Sequence, residues 1–120
     1  MIDRIRLTAA AKNQLSTLKR KTGIEHYNSL CRHALCLSLA NASTPPEEDF
    51  NFSGGVEVDW RTFTGGHESL YLNLLFLRIL EDGGVVCAEN VKRVCASHLH
   101  RGLSYMGGKD DEYLAQTQFD

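Results

Sequence analysis

Arg4-Ile5-Arg6-Leu7 alternates polar and apolar positions, the period of a short half-buried strand. Thr8 follows as a good N-cap, and the three alanines after it favour helix. Ala11, Leu15, Leu18 and Thr22 then recur at helical spacing and mark one narrow face, up to Gly23, where a left-handed C-cap residue belongs. The pattern predicts a second helix that starts between Glu25 and Asn28 and ends at Ala40 or Asn41. Its apolar positions (Tyr27, Leu30, Cys31, Ala34, Leu35 and Leu37 to Leu39) wrap most of the circumference, so it is buried on more than one side. Residues 41–66 interrupt this regularity: Ser43-Thr44-Pro45-Pro46 cannot continue a helix, Glu47-Glu48-Asp49 reads as a solvated turn, and Val56 to Trp60 alternates as a strand or an extended arm. A third helix is predicted over about His67 to Asp82, with almost no polar face, as a central core helix or one lying in a subunit interface. A fourth runs from about Glu89 to Met106, with Val91, Val94, Cys95, His98, Leu103 and Met106 facing inward.

The fold class is therefore mainly α: a ribbon-helix-helix-like N-terminal unit, made of a short strand plus two helices, followed by two core helices in a single domain. In ribbon-helix-helix proteins a strand from each of two chains pairs, and the ribbon enters the major groove of DNA. Residues 1–108 form the expected helical domain, and 109–120 an acidic, flexible tail.

With 120 residues, 42% of them hydrophobic, the chain is long enough for one packed core. Leu70 to Leu80, the longest apolar stretch, is broken by Asn73 and Arg78 and is far short of the roughly 20 apolar residues of a membrane span. Met1 to Arg6 has no signal-peptide pattern. A cytoplasmic, membrane-free protein is the expectation. Charge is unevenly placed. Residues 1–40 hold seven Lys/Arg against two Asp/Glu, a net of +5; residues 41–120 hold six against thirteen, a net of −7. A basic front on an acidic body is the asymmetry of a surface that meets a polyanion, although solvated helix faces also look this way.

Within the basic third, Lys12 and Lys19 are seven residues apart and hence only about 20° apart around a helix axis, with Ser16 between them. Arg20 sits beside Asn13 on the same polar side, and Lys21 points elsewhere. Arg4 and Arg6 share one face of the strand. Such spread cations suit phosphate contacts, which need charge and no fixed code; the competing reading is a solvated surface with long stems covering apolar area. His98 and His100, two apart, lie about 200° apart on a helix and cannot grip one ion; Cys95 and His98 could, but no second ligand pair lies near them. No metal or other cofactor is expected. The four cysteines contain no C-x-x-C. Cys31 and Cys36 read as inert thiols of an apolar helix, while Cys87, just before a helix, has the best electrostatic setting for reactivity. Gly54-Gly55 and Gly65-Gly66 lack the Lys-Ser/Thr of a phosphate loop. His26, His33 and His67 have no convincing Ser or Asp context for a triad. The chain is thus not expected to be an enzyme.

Five separated segments, in order, resemble the DndE family, the small subunit of the bacterial DNA phosphorothioation (sulfur-modification) system: Ile5-Arg6-Leu7-Thr8; Leu15 to Ile24, which contains Lys19-Arg20-Lys21-Thr22-Gly23; Asn28 to Ala40; Glu57-Val58-Asp59-Trp60-Arg61-Thr62-Phe63; and His98-Leu99-His100-Arg101-Gly102. The resemblance implies a homotetramer that binds DNA, with a preference for nicked duplex, through lysine-rich surface, beside the partner subunits that install sulfur. Lys19, Arg20 and Lys21 carry over by motif, with Lys12 upstream. The segment from Lys109 onward has no counterpart in this resemblance. Two other functions compete: a cysteine-dependent sulfur carrier in the same pathway, and a ribbon-helix-helix transcription regulator.

Overall fold

Ile5 and Leu7 turn inward and Arg4 and Arg6 outward from the first strand, β1 (Arg4–Leu7), as the alternation requires. In the computed structural model, which describes residues 1–108, this strand pairs antiparallel with β2 (Val56–Asp59) of the same chain, in the register Arg4↔Asp59 to Leu7↔Val56. The two-stranded ribbon is thus intramolecular. The expected tail at 109–120 lies outside the described residues.

Thr8 ends the strand and caps α1 (Ala9–Thr22), its hydroxyl accepting from the Ala11 N–H at 3.1 Å. Ala11, Leu15 and Leu18 are buried along one stripe, as expected, and the leucines contribute about 1.5–3 kcal/mol each. Gly23 closes the helix at φ 73°, a conformation that costs a residue with a Cβ, and its N–H returns to the Lys19 carbonyl.

Helix α2 (Tyr27–Leu39) and helix α5 (Ala88–Gly107) pack on each other more extensively than any other pair and form the centre of the core. Their contact depends on Gly102: a Cβ there would sit 1.8 Å from the Ala34 carbonyl oxygen, so only glycine lets the two backbones approach this closely. Of the inward positions expected on α5, Val91, Cys95, His98, Leu103 and Met106 are buried and Val94 is half-buried; Leu99 and Gly102 join them.

Helix α2 has no basic residue in its last turn and no glycine cap. Its terminal carbonyls are satisfied from other helices. Arg78 donates to Leu39 O at 2.8 Å and to Asn41 O, and lies 3.5 Å from Asp82. Arg101 donates to Ser38 O at 2.8 Å and to Ser38 Oγ at 2.8 Å. These charge-assisted bonds replace a local cap by a tertiary one, and they explain why an arginine interrupts an otherwise apolar helix.

That helix, α4 (Glu68–Glu81), follows a short α3 (Trp60–Thr64) that the alternation of Val56 to Trp60 did not foresee; Asp59 caps α3 by accepting from Thr62 N–H. Within one chain α4 is not a central core helix. Only Leu75, Arg78 and Ile79 are buried, and Leu70, Leu77 and Leu80 remain 55%, 57% and 60% exposed. Cys36 likewise departs from expectation: it lies on the exposed side of α2, whereas Cys31 is buried.

Candidate nucleic-acid interface

The outward face of the ribbon carries Arg4 and Arg6. Both converge on Glu57 of β2, at 3.0 Å and 3.2 Å. All three side chains are about half exposed or more, so these pairs contribute about 0–1 kcal/mol each and an incoming phosphate can displace them. Arg6 is also held by Phe52, whose ring centroid lies 5.0 Å from the guanidinium carbon.

On α1, Lys12, Ser16 and Lys19 form the expected stripe. Its position is set by Tyr27 at the start of α2: the Lys19 ammonium lies 5.1 Å from the Tyr27 ring centroid, and Ser16 Oγ is 3.3 Å from the Tyr27 hydroxyl. Lys19 is therefore half-buried and oriented, whereas Lys12 and Arg20 are exposed and make no ion pair within the described residues. Lys21 turns to another side, where it lines a depression with Asn13, Gln14 and Met106. Lys19, Arg20 and Lys21 in the last turn also complement the negative end of the α1 dipole, a structural reason for their placement alongside any contact with phosphate. The six cations foreseen from the sequence thus fall into a ribbon pair (Arg4 and Arg6), an α1 stripe of Lys12 and Lys19 with Arg20 exposed beside it, and Lys21 facing α5. Arg32, counted in the basic front, is committed to the fold: it donates to Phe63 O at 3.0 Å.

Two further cations escaped sequence reasoning. Lys92 and Arg93, exposed on the first turns of α5, line a cavity of about 410 Å³ together with Arg4 and Arg6, and Phe50 and Phe52 form part of its wall. The signal was present as an adjacent Lys-Arg pair, but only the folded chain brings residues 4–6, 48–52 and 92–96 together.

His98-Leu99-His100-Arg101-Gly102 serves the scaffold. His98 and His100 point to different partners, as their spacing requires. Arg101 Nε can only donate, so Ser38 Oγ accepts from it and its own O–H donates to His98 Nδ1 at 2.8 Å. Burial, together with Arg78 and Arg101, lowers the His98 pKa to about 4, so the ring is neutral. His100 Nε2 accepts from the Thr8 N–H at 3.2 Å, and its Nδ1–H donates to Ala96 O at 2.7 Å. The first of these bonds ties the start of α1 to α5. Phe50 stacks on the same ring at 4.3 Å between centroids and anchors the loop before β2. Among the described residues no three His, Cys, Asp or Glu side chains are grouped to hold a metal ion.

Burial pushes the thiols of Cys31 and Cys95 up to about 12, far from the thiolate needed for nucleophilic attack. Cys36 and Cys87 are exposed, the latter at the N-cap of α5. No helix of the described residues is long and apolar enough to cross a membrane.

These features define a small, mainly helical protein with one core, a basic ribbon and a basic first helix. The profile of the family described as DNA sulphur modification protein DndE matches residues 4–113, and the chain belongs to that family. Among solved structures, the chain is similar in fold to the crystal structure of DndE from Escherichia coli B7A involved in DNA phosphorothioation modification. The TM-score is 0.69 at 20% identity, covering 88% of this chain and 98% of that one. No curated protein sequence matches it.

Proposed function

We propose that this chain is a non-catalytic DNA-binding subunit of a DNA sulfur-modification (phosphorothioation) complex, which holds duplex DNA, with a preference for nicked duplex, through Arg4, Arg6, Lys12, Lys19, Arg20 and Lys21. Family membership supports the pathway. The observation that carries the binding role is the state of these cations. Lys12 and Arg20 are solvated without an ion-pair partner among the described residues, and Arg4 and Arg6 share one exposed carboxylate. Such groups lose little when they trade water or Glu57 for phosphate.

Because one chain distributes its cations over more than one side, the reading includes assembly as a homotetramer, which multiplies phosphate contacts along a duplex. The apolar side of α4 supports assembly: Leu70, Leu77 and Leu80 are more than half exposed, and with Asn73 they fall at the 3–4–3 spacing of a helix-pairing seam. Other subunits of the complex, which carry out the sulfur chemistry, complete the set of partners.

The test is affinity for intact, nicked and single-stranded DNA at two salt concentrations, for the wild type and for the double substitution Lys19→Glu/Arg20→Glu. The logarithm of affinity should fall steeply with the logarithm of salt, and losing two phosphate contacts should lower that slope by about 2. Equal affinity of wild type and variant, at both salts, refutes the interface.

A further inference from the structure

The cavity between β1, the loop at 48–52 and the first turns of α5 has the volume of a small-ligand site, about 410 Å³. Its chemistry is divided. Phe50 offers a fixed aromatic wall, because His100 stacks against it at 4.3 Å. Phe52 carries the Arg6 guanidinium at 5.0 Å, a cation–ring stack that a further flat ring can extend. Around these rings stand Arg4, Arg6, Lys92 and Arg93. Lys92 and Arg93 have no ion-pair partner among the described residues. Glu48 and Asp49 also line the cavity and Glu57 pairs with Arg4 and Arg6, so four cations face three carboxylates and the surplus charge is that of Lys92 and Arg93. An aromatic floor with surplus positive charge fits a ligand that joins a flat ring to an anion. The carboxylates add acceptors for an exocyclic amino group on that ring.

We propose that this cavity binds one nucleoside phosphate, its base against Phe50 and Phe52 and its phosphate on Lys92, Arg93 and the ribbon arginines. The ligand chemistry is that of a free nucleotide or of a single unpaired nucleotide in a strand. The strand-borne form rests on the DNA-binding reading above; the site itself shares only Arg4 and Arg6 with that interface, and Lys12, Lys19, Arg20 and Lys21 take no part in it.

The full chain is titrated with dAMP, deoxyadenosine and inorganic phosphate, followed by backbone amide chemical shifts. The expected result is dAMP binding about tenfold or more tighter than either half-ligand, with shifts at residues 48–52, β1 and the start of α5. Phe52→Ala should weaken dAMP about tenfold. Lys92→Glu/Arg93→Glu, which alters two exposed side chains, should abolish the advantage of dAMP over deoxyadenosine. Lys19→Glu/Arg20→Glu should leave dAMP affinity unchanged while duplex affinity falls. A duplex bearing one unpaired 2-aminopurine separates the two sources. Quenching by wild type, absent with Phe52→Ala, assigns the strand-borne nucleotide; dAMP binding without quenching assigns the free one. If dAMP binds no better than phosphate alone, or its shifts map to α1, the proposal is overturned, whatever the duplex affinity. If the wild type ignores duplex and still takes dAMP, the duplex reading falls and the nucleotide site stands.

Discussion

Replacing Leu77 and Leu80 of α4 by glutamate should dissociate the assembly without unfolding the chain. Both leucines and Leu70 are already 55–60% exposed in the single chain, so each has only part of its burial energy left to gain. Full burial of a leucine is worth about 1.5–3 kcal/mol, which leaves about 1–1.5 kcal/mol per side chain for an interface. Two copies of α4 packed along this seam bring six leucines together and gain about 6–9 kcal/mol, against an association cost of about 4–15 kcal/mol. In the proposed assembly such a seam has little to spare. The double substitution removes four of the six leucines, a loss of about 4–6 kcal/mol, and adds facing carboxylates; affinity should fall by about three to four orders of magnitude. Sedimentation at micromolar protein should show wild type as four chains of 13.4 kDa and the variant as no more than two, since a seam between two copies of α4 joins chains only in pairs. Its circular dichroism and melting profile should match the wild-type protomer, because the residues of α4 that pack on the core, Leu75 and Ile79 with Tyr71, Leu72 and Phe76, are untouched. A wild-type monomer, or a variant that keeps the wild-type mass, refutes this use of α4.

Gly102→Ala places a methyl 1.8 Å from the Ala34 carbonyl oxygen, so α2 and α5 must separate; overpacking of this kind costs about 1–3 kcal/mol and, against rigid backbone, the upper end is expected, with a melting temperature lower by about 10 °C or more. A melt within a few degrees of wild type would show that the helices are not in this contact. His98 has a folded pKa lowered from 6.5 to about 4 by burial, with Arg78 and Arg101 adding to the effect. The unfolded chain therefore takes up a proton first as pH falls. This contribution to stability is full above about pH 6.5 and lost progressively toward pH 4, by up to about 2 kcal/mol at pH 5. Urea titrations at pH 7 and pH 5 should show that loss in wild type and a smaller one in His98→Gln; equal losses would assign the effect to other groups. Cys36→Ser/Cys87→Ser removes the two exposed thiols. Phosphorothioate content of cellular DNA, read by digestion and mass spectrometry, should stay at the wild-type level; its disappearance with a folded variant would establish a sulfur carrier instead.

Local rules made most of this fold legible. Alternation at residues 4–7, the Thr8 cap, the Gly23 stop and the helical spacing of Ala11, Leu15 and Leu18 each depend on neighbours in sequence, and each recurs in the structure. For α4 the sequence left a core helix and a subunit-interface helix as alternatives, and the exposed leucines exclude the first within one chain, because composition measures how apolar a helix is, not how much of it one chain can cover. Cys36 was misjudged for the same reason, since α2 turns a narrow side to solvent even though its neighbours are apolar. The partner of β1 was not legible either, because fifty residues separate the strands and register is set by tertiary packing.

The basic residues show where sequence reading meets its physical limit. A lysine count cannot separate Lys19, oriented by Tyr27, from Lys21 on another side, or Arg32, consumed by Phe63 O, from Arg20 in solvent. Nor can it find Lys92 and Arg93, which belong to the acidic two-thirds of the chain and meet Arg4 and Arg6 only after folding. The segments that carry the family resemblance behave differently. Within His98 to Gly102, one histidine accepts a hydrogen bond from Ser38, the other ties α1 to α5, Arg101 caps α2, and Gly102 sets the helix spacing. Each of these roles requires one residue type at one position. A phosphate contact requires only a cation within reach, and neighbouring positions can supply it. A motif made of such demanding positions identifies the scaffold, and the surface that meets the ligand must be found from exposure, pairing and charge in three dimensions.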